Sequence, residues 1–217
     1  SLHRLTPCRI EYIIQVIKRN RINKQTYSSS RICNNLNILD VGCGGGLLCE
    51  PLSRLGGNVT GIDVSENAIK IAKQHASKMG LKINYICTSL EELNLKKDFD
   101  LIIASEVIEH VLDRKYFLKM IRKISSNKTS FIFTTINKSI PSLLFGKLAA
   151  EYILNLIPKG THDWEKFVTP QKLYLEAMEN GIYLNNFSGL TPNIFNKEFN
   201  LTSYLGINYA ASGIVKV

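Results

Sequence analysis

Two groups of residues in this sequence have the types and spacing of chemical sites. The first is the glycine cluster G-C-G-G-G, which begins at Gly42 and is followed 21 positions later by the acidic residue Asp63. Glycine lets a ligand approach the main chain closely. A helix that begins just after such a turn offers free amides to an anionic group, and an acid at the position of Asp63 can accept both hydroxyls of a ribose. We therefore expect Gly42, Gly44 and Asp63 to bind a nucleoside-containing cofactor.

The spacing of the glycines favours one cofactor class. In the dinucleotide fingerprint GxGxxG the third glycine would stand at position 47, but here it comes one place early, at Gly46, and Leu47 takes its place. This departure favours S-adenosylmethionine over NAD or FAD. The ribose of S-adenosylmethionine would bind the same acidic residue, and its methionine carboxylate would take the place of the pyrophosphate. An NAD-dependent oxidoreductase stays open as an alternative.

The second group is Glu106, Glu109 and His110, which follow an apolar segment. If a helical turn begins there, the three side chains stand at i, i+3 and i+4 on one face. Two carboxylates and an imidazole can hold a divalent cation; the carboxylates favour Mg²⁺, while the histidine leaves Mn²⁺ or Zn²⁺ open. Alternatively, His110 is a general base that takes a proton from a hydroxyl nucleophile, or the acids only stabilise the start of a helix.

A regular alternation of short apolar strands and helices must position both groups. The predicted strands are 37–41, 58–62, 83–87, 99–104 and 130–135, and the predicted helices between them are 46–55, 66–78 and 114–124. This order predicts a parallel sheet covered by helices on both faces. Ligands bind such sheets at the carboxyl ends of the strands. That edge also receives Ser89 and Leu90, which we therefore include among the cofactor-binding candidates, and Ser105.

The flanking regions complete a single domain over residues 1–217. A helix is expected at 8–19 and another at 170–179, with strands near 182–190 and 207–217. Between them lies an insertion of about residues 137–169, whose segment 139–158 is long and apolar.

Composition limits the partners and the compartment. Lys and Arg outnumber Asp and Glu by 27 to 18, a net charge of +9 that suits an anionic surface such as an acidic membrane or nucleic acid, although no dense basic run is present. The five cysteines form no CxxC pair, which predicts a reducing compartment without disulfides or a zinc site. No signal peptide is recognisable, and no apolar stretch reaches the roughly 20 residues that span a bilayer.

The motifs together resemble a known enzyme family. LDVGCGGG, GIDVSENAI and FDLIIASEVIEHV resemble class I S-adenosylmethionine-dependent methyltransferases. SLHRLTPCRIEYI, SEVIEHV and AAEYILNLIPKGTHDWEKFVTP resemble, more narrowly, the ubiquinone-biosynthesis O-methyltransferases, and the similarity covers essentially the whole chain. The resemblance implies an α/β fold with a Rossmann-like, seven-stranded, mostly parallel sheet and a helical insertion after the fifth strand.

The same resemblance implies roles for individual residues. Arg9, Gly42, Asp63 and the position of Ser105 match the family's cofactor contacts, and we expect Arg4 in LHR to help close the site. The family often has Met at the position of Ser105, so only a main-chain contact is implied there. The divalent-cation ligands of the family correspond to Glu106, Glu109 and His110, and we take Glu109 and His110 as the catalytic candidates. Family members usually carry a further segment before LHR.

The implied reaction is O-methylation of a polyprenylated catechol, of demethylubiquinol, or of both. The implied partners are the polyprenyl substrate, an anionic membrane surface contacted by segment 139–158, and other enzymes of ubiquinone synthesis, with no nucleic acid. The expected location is peripheral, on the cytoplasmic face of a bacterial inner membrane or the matrix side of the mitochondrial inner membrane. A methyltransferase for another small molecule and a noncatalytic assembly module of the same fold are further alternatives.

Overall fold

Residues 2–22, 29–95, 98–139, 167–193 and 198–216 are described by the structure, a computed structural model. In these residues one sheet carries helices on both faces. The helices are α1 (Leu2–Arg19), α2 (Cys49–Arg54), α3 (Glu66–Lys78), α4 (Arg114–Lys123) and α5 (Pro170–Glu179). The strands are β1 (Asn37–Val41), β2 (Asn58–Asp63), β3 (Asn84–Cys87), β4 (Leu101–Ser105), β5 (Ser130–Ile136), β6 (Ile182–Pro192), β7 (Phe199–Thr202) and β8 (Asn208–Val215).

The strand order is β3-β2-β1-β4-β5-β8-β6-β7. The first five strands in this order are parallel, whereas β8, β6 and β7 pair antiparallel. Since β2 and β3 lie on one side of β1 while β4 and β5 lie on the other, the order reverses between β1 and β4. Ligands of open α/β sheets bind at such a reversal, beyond the carboxyl ends of the strands. The turn after β1 and the loop after β4 therefore form the expected site.

The two faces of the sheet bury separate apolar clusters. Along β1, Ile38 belongs to the cluster that also contains apolar residues of α1, α2 and α3, whereas the next residue, Leu39, belongs to the cluster containing those of α4 and α5. Successive strand residues point to opposite faces. A strand covered on both sides is apolar along nearly its whole length, and the sequence therefore predicted these strands.

Three helices begin at residues whose side chains cap them. The side chain of Ser65 accepts a hydrogen bond from the amide of Ala68 before α3 (3.3 Å), and Asp113 and Thr169 serve α4 and α5 in the same way. Such caps satisfy amides that the helix itself leaves unpaired. The observed bounds of α3 and α5 accordingly coincide with the predicted 66–78 and 170–179.

Helix α1 is fixed against the antiparallel part of the sheet. The Tyr12 hydroxyl donates to Oδ1 of Asn186 in β6 (2.9 Å), and Nη2 of Arg19 donates to the Ser212 hydroxyl in β8 (2.7 Å). These contacts anchor the helix that carries Arg9.

The predicted α/β class is confirmed, but the prediction of seven strands is wrong: the described residues contain eight. The additional strand, β7, pairs with the last part of β6, for example Leu201 with Leu190. It is short, and it covers an edge that β6 would otherwise leave unpaired. Helix α1 begins at Leu2 rather than at residue 8, and α2 begins at Cys49 rather than at residue 46.

The predicted insertion at about 137–169 lies mostly outside the described residues, which end at 139 and resume at 167. Its apolar segment and the single-domain boundaries therefore stay predictions. Among the described residues, no helix is long and apolar enough to cross a membrane.

Candidate active site

The turn after β1 contains glycines with distinct roles. Gly42, Gly44 and Gly46 all have positive φ, at 69°, 51° and 84°. A Cβ on Gly42 would lie 2.5 Å from Cγ2 of Val107, and one on Gly46 would collide with the Tyr85 hydroxyl. A Cβ on Gly44 would meet nothing within 4 Å. Gly42 and Gly46 are thus required by packing, while Gly44 leaves its main chain open to a ligand.

Asp63, at the end of β2, is held by this turn. Its Oδ2 accepts a hydrogen bond from the amide of Gly44 (2.8 Å), and its Oδ1 accepts one from the amide of Ser65 (2.8 Å). Each carboxylate oxygen can accept further hydrogen bonds. The predicted pair of glycine turn and acidic residue is therefore assembled, with the carboxylate in a fixed orientation.

Arg9 of α1 is buried beside the site, with 4% of its surface exposed. Its Nη2 lies 3.1 Å from Oε1 of Glu106. Nevertheless, neither Nε nor Nη2 has a hydrogen-bond partner among the described residues. The charges of Arg9 and Glu106 are thus paired without a well-directed hydrogen bond. Buried N–H groups that lack an acceptor indicate a site where a further acceptor can bind.

The helical turn that would place the three side chains on one face does not begin at Glu106. Glu106 has φ of 58°, in the left-handed region, and a helix cannot continue through it. Its amide donates to the carbonyl of Thr134 (2.8 Å), and its Oε1 also accepts a hydrogen bond from the Thr134 hydroxyl (3.2 Å). Glu106 is thus tied to β5, and the turn forms one residue later, where the His110 amide donates to the Val107 carbonyl (2.8 Å). Of the three side chains, those of Glu106 and Glu109 interact.

Glu109 is buried, and its Oε2 accepts a hydrogen bond of 2.7 Å from the hydroxyl of Thr135, which is fully buried. Burial, followed by the charge of Glu106, raises the pKa of Glu109 from 4.5 to about 8, and the Thr135 hydrogen bond partly opposes this shift. A carboxyl group with such a pKa can accept or release a proton near neutral pH.

His110 differs from the two acids because it is exposed. The described residues contain no group of three His, Cys, Asp or Glu placed to hold a metal ion. Glu106 already faces the guanidinium of Arg9, whose positive charge opposes a cation at the same carboxylate. The described residues therefore do not assemble the three-ligand site that the sequence resemblance implies, and the cation stays a prediction.

The remaining candidates lie at the same edge. The Ser105 hydroxyl pairs with that of Thr134 (2.7 Å). The Ser89 hydroxyl accepts a hydrogen bond from the amide of Glu92 (3.3 Å), while Leu90 packs in the core. Arg4, on α1, is exposed. Their predicted contacts with a cofactor or a lid stay predictions.

Sequence reasoning missed Asp40, which lies in β1 with 2% of its surface exposed. It accepts a hydrogen bond from the Cys49 thiol (3.2 Å). Burial raises its pKa to about 7, the positive charge of Arg9 lowers it, and the charge of Asp63 raises it. An acidic residue inside an otherwise apolar strand was the available signal. Thr134 and Thr135, at the end of β5, were also missed, and the pair of hydroxyl residues ending an apolar strand was their signal.

These parts together can hold a zwitterionic nucleoside and move a proton. The turn and Asp63 provide main-chain and carboxylate contacts, Arg9 provides buried donors for an anionic group, and Glu109 provides a proton acceptor. The glycine turn and Glu109 lie on the loops at the reversal between β1 and β4, Asp63 ends β2, and Arg9 lies on α1.

Known proteins identify the class. Residues 39–133 match the family model described as a methyltransferase domain. This range includes the glycine turn, Glu106 and Glu109. A ubiquinone biosynthesis O-methyltransferase of Pelagibacter ubique is 42% identical over 209 residues, which cover 96% of this chain and 85% of that protein. One from Rickettsia prowazekii is 41% identical over 209 residues, covering 96% and 79%.

Solved structures share the fold at lower identity. The magnesium protoporphyrin IX methyltransferase of Synechocystis, with bound S-adenosylhomocysteine, aligns with a TM-score of 0.68 at 16% identity, over 95% of this chain and 82% of that one. An S-adenosylmethionine-dependent methyltransferase of Clostridium acetobutylicum aligns with a TM-score of 0.65 at 15% identity, over 95% and 90%. The fold is thus that of class I methyltransferases, and the similarity to the curated relatives over nearly its whole length shows that the chain belongs to the ubiquinone biosynthesis O-methyltransferase family.

Proposed function

We propose that this chain transfers a methyl group from S-adenosylmethionine to a phenolic hydroxyl of a polyprenylated catechol, of demethylubiquinol, or of both. The observation that carries this proposal is the 42% identity, over 96% of the chain, with a relative named for ubiquinone biosynthesis. Membership of a methyltransferase family sets aside the oxidoreductase and the noncatalytic module. A different small-molecule acceptor is the remaining alternative.

The site fits the proposed cofactor. Asp63, already oriented by two amides, has acceptor capacity for ribose hydroxyls. The unsatisfied Nε and Nη2 of Arg9 match the methionine carboxylate, which requires buried cationic donors. The open side of Gly44 allows close approach of the ligand to the main chain. When bound, the cofactor supplies an electrophilic methyl group on a sulfonium.

The chain must then make a phenol nucleophilic. A phenol has a pKa of about 10 and is a poor nucleophile at neutral pH. Glu109 is a suitable base because it is buried next to Glu106 and oriented by Thr135. Its raised pKa brings it closer to that of the phenol than an ordinary carboxylate would be. Exposed His110 is the rival base.

The proposed step moves one proton to the chain and one methyl group to the substrate. Glu109 takes the phenolic proton, and the oxygen forms a bond to the methyl carbon. The carbon–sulfur bond breaks, its electron pair stays on sulfur, and S-adenosylhomocysteine leaves. Orientation of the acceptor oxygen in line with that bond supplies much of the rate.

A divalent cation, Mg²⁺ by the resemblance, stays a separate prediction, and no step above depends on it. The proximity of the Glu106 and Glu109 side chains supports it beside the resemblance. Chelation should lower turnover and added Mg²⁺ should restore it; turnover that is insensitive to chelators would refute the prediction.

We also propose that the chain associates peripherally with an anionic membrane, where a polyprenyl substrate resides. The membrane would be the cytoplasmic face of a bacterial inner membrane or the matrix side of the mitochondrial inner membrane, and other enzymes of ubiquinone synthesis would lie beside it. The net charge of +9 supports the association. So does Leu112, which is fully exposed on the loop that leads from the site to α4. The protein should sediment with anionic phosphatidylglycerol vesicles but not with neutral phosphatidylcholine vesicles. Equal binding to both would contradict the proposal that the basic charge of the chain attracts it to the membrane.

The activity test uses labelled S-adenosylmethionine with a polyprenyl catechol and with demethylubiquinol. The wild-type chain should label at least one acceptor. Glu109→Gln should lower kcat about 10²- to 10⁴-fold while still binding S-adenosylhomocysteine. Glu91→Gln, which removes an exposed carboxylate, is the matched control. Cofactor binding without transfer to either acceptor would refute the proposed substrate.

A further inference from the structure

Glu106 has an unusual backbone conformation at the centre of the site. Among the described residues, Glu106 is one of the few non-glycine residues with positive φ, and it directly follows β4. Side chains with a Cβ rarely adopt this region, and such residues concentrate at functional sites. The conformation is maintained by Thr134, whose carbonyl accepts from the Glu106 amide and whose hydroxyl donates to its carboxylate.

This conformation directs the Glu106 carboxylate to Arg9. The two side chains are 15% and 4% exposed, so water screens their attraction only weakly. The contact of 3.1 Å pairs the charges but leaves Nε and Nη2 without a directed hydrogen bond. A second carboxylate with better geometry would bind the same guanidinium more strongly than Glu106 does.

We infer that Glu106 is a positioning residue that competes with the methionine carboxylate of the cofactor for Arg9. The inference rests on the proposed function, which assigns that carboxylate to Arg9. Binding of the cofactor displaces Glu106 from the guanidinium, and its return helps to expel S-adenosylhomocysteine, which carries the same carboxylate. Glu106 thereby weakens affinity and speeds product release, because a group that occupies the site reduces the fraction of protein competent to bind.

Binding calorimetry separates this role from a structural one by comparing two ligands. S-adenosylhomocysteine contains the carboxylate, whereas methylthioadenosine lacks the amino acid part. Neither ligand carries a positively charged sulfonium. Removal of the Glu106 charge therefore does not weaken binding through lost attraction to a sulfonium. Glu106→Gln should bind S-adenosylhomocysteine about 3- to 10-fold more tightly and methylthioadenosine with unchanged affinity.

Two further variants serve as a charge control and as a second test of the contact between Glu106 and Arg9. Glu11→Gln removes an exposed carboxylate from the same helix as Arg9, where it accepts a hydrogen bond from Gln15 (3.3 Å), and should change neither affinity. Glu106→Asp keeps the charge and tolerates positive φ, but its shorter side chain does not reach Arg9; it too should tighten binding of S-adenosylhomocysteine. It also covers the case in which Glu106→Gln fails to fold.

The sign of the change decides the outcome. Tighter binding of S-adenosylhomocysteine alone supports competition, whereas unchanged or weaker binding by Glu106→Gln and Glu106→Asp overturns it. Equal tightening of methylthioadenosine also overturns it, because the effect would not involve the carboxylate. If the wild-type chain binds neither ligand, the proposed cofactor fails together with this inference.

Discussion

The amide of Gly44 donates a hydrogen bond of 2.8 Å to Oδ2 of Asp63 and joins the turn after β1 to the end of β2. The amide of Ser65 holds the other carboxylate oxygen at the same distance. Among the described residues, the hydrogen bonds that orient the Asp63 carboxylate come from main-chain amides. A carboxylate held in this way suits the proposed contact with a ribose.

Replacing Asp63 by Asn should weaken the binding of S-adenosylhomocysteine about 10- to 100-fold, since a hydrogen bond to a charged acceptor contributes about 1.5–3 kcal/mol. The amide side chain also cannot accept from both Gly44 and Ser65. Calorimetry measures the change. Asp98→Asn removes an exposed carboxylate outside the site and should bind normally; an unchanged affinity for Asp63→Asn would show that the acid only holds the turn.

Alanine at Gly42 and at Gly44 should have different consequences. At Gly42 the new methyl group would collide with Val107, so the melting temperature should fall strongly. At Gly44 the methyl group enters open space, and the positive φ adds a strain of about 1 kcal/mol. Gly44→Ala should therefore stay folded but lose cofactor affinity, and retention of full affinity would place the ligand elsewhere.

The stability of the protein should depend on pH through Glu109. Burial raises its folded-state pKa to about 8, above the ordinary 4.5, so the folded chain binds the proton more tightly than the unfolded chain. This stabilisation is fully present below about pH 4.5 and is lost as the pH rises through about 8. Glu109→Gln keeps a neutral side chain and should reduce the fall in the free energy of unfolding over that range.

Urea denaturation of both proteins across this pH range measures the effect. Asp40, whose pKa burial raises to about 7, contributes a fall of the same sign in both proteins, so the comparison isolates Glu109. Parallel pH dependences of wild type and Glu109→Gln would contradict the raised pKa.

Thr135 should tune the base that it contacts. Its hydroxyl donates to Glu109 and lowers the pKa of that carboxyl group. Thr135→Val preserves shape but removes the donor, so the pH at half-maximal kcat should move upward by up to about one unit. Thr135→Ser keeps the hydroxyl and should restore the wild-type profile. If both variants shift the profile equally, packing rather than the hydrogen bond is responsible.

The sequence predicted the sheet well because its strands are buried on both faces. In β1 and β4 almost every residue is buried, and a continuous apolar run bounded by glycine or polar residues marks such strands. The caps at Ser65 and Thr169 similarly marked helix starts. Strand β7 is short, and its residues are only partly buried or exposed. The sequence therefore contains no apolar run that predicts this strand.

Within the candidate site, the sequence predicted the pairing of Asp63 with the glycine turn but not the geometry around Glu106. Asp63 and the glycine turn form a local unit whose spacing determines their contact. Glu106 could not be predicted in the same way, because its positive φ depends on Thr134, a residue distant in the sequence. The ion pair with Arg9 likewise depends on how α1 packs across the sheet. Tertiary contacts thus move the start of the expected helical turn past Glu106.

The most direct test of the account is a single-turnover reaction with S-adenosylmethionine carrying an isotopically labelled methyl group and a polyprenyl catechol, followed by mass spectrometry of both products. We predict that the label appears on a phenolic oxygen in an amount equal to the S-adenosylhomocysteine formed. Absence of labelled acceptor while the cofactor is demonstrably bound, or label on carbon instead of oxygen, would contradict the account.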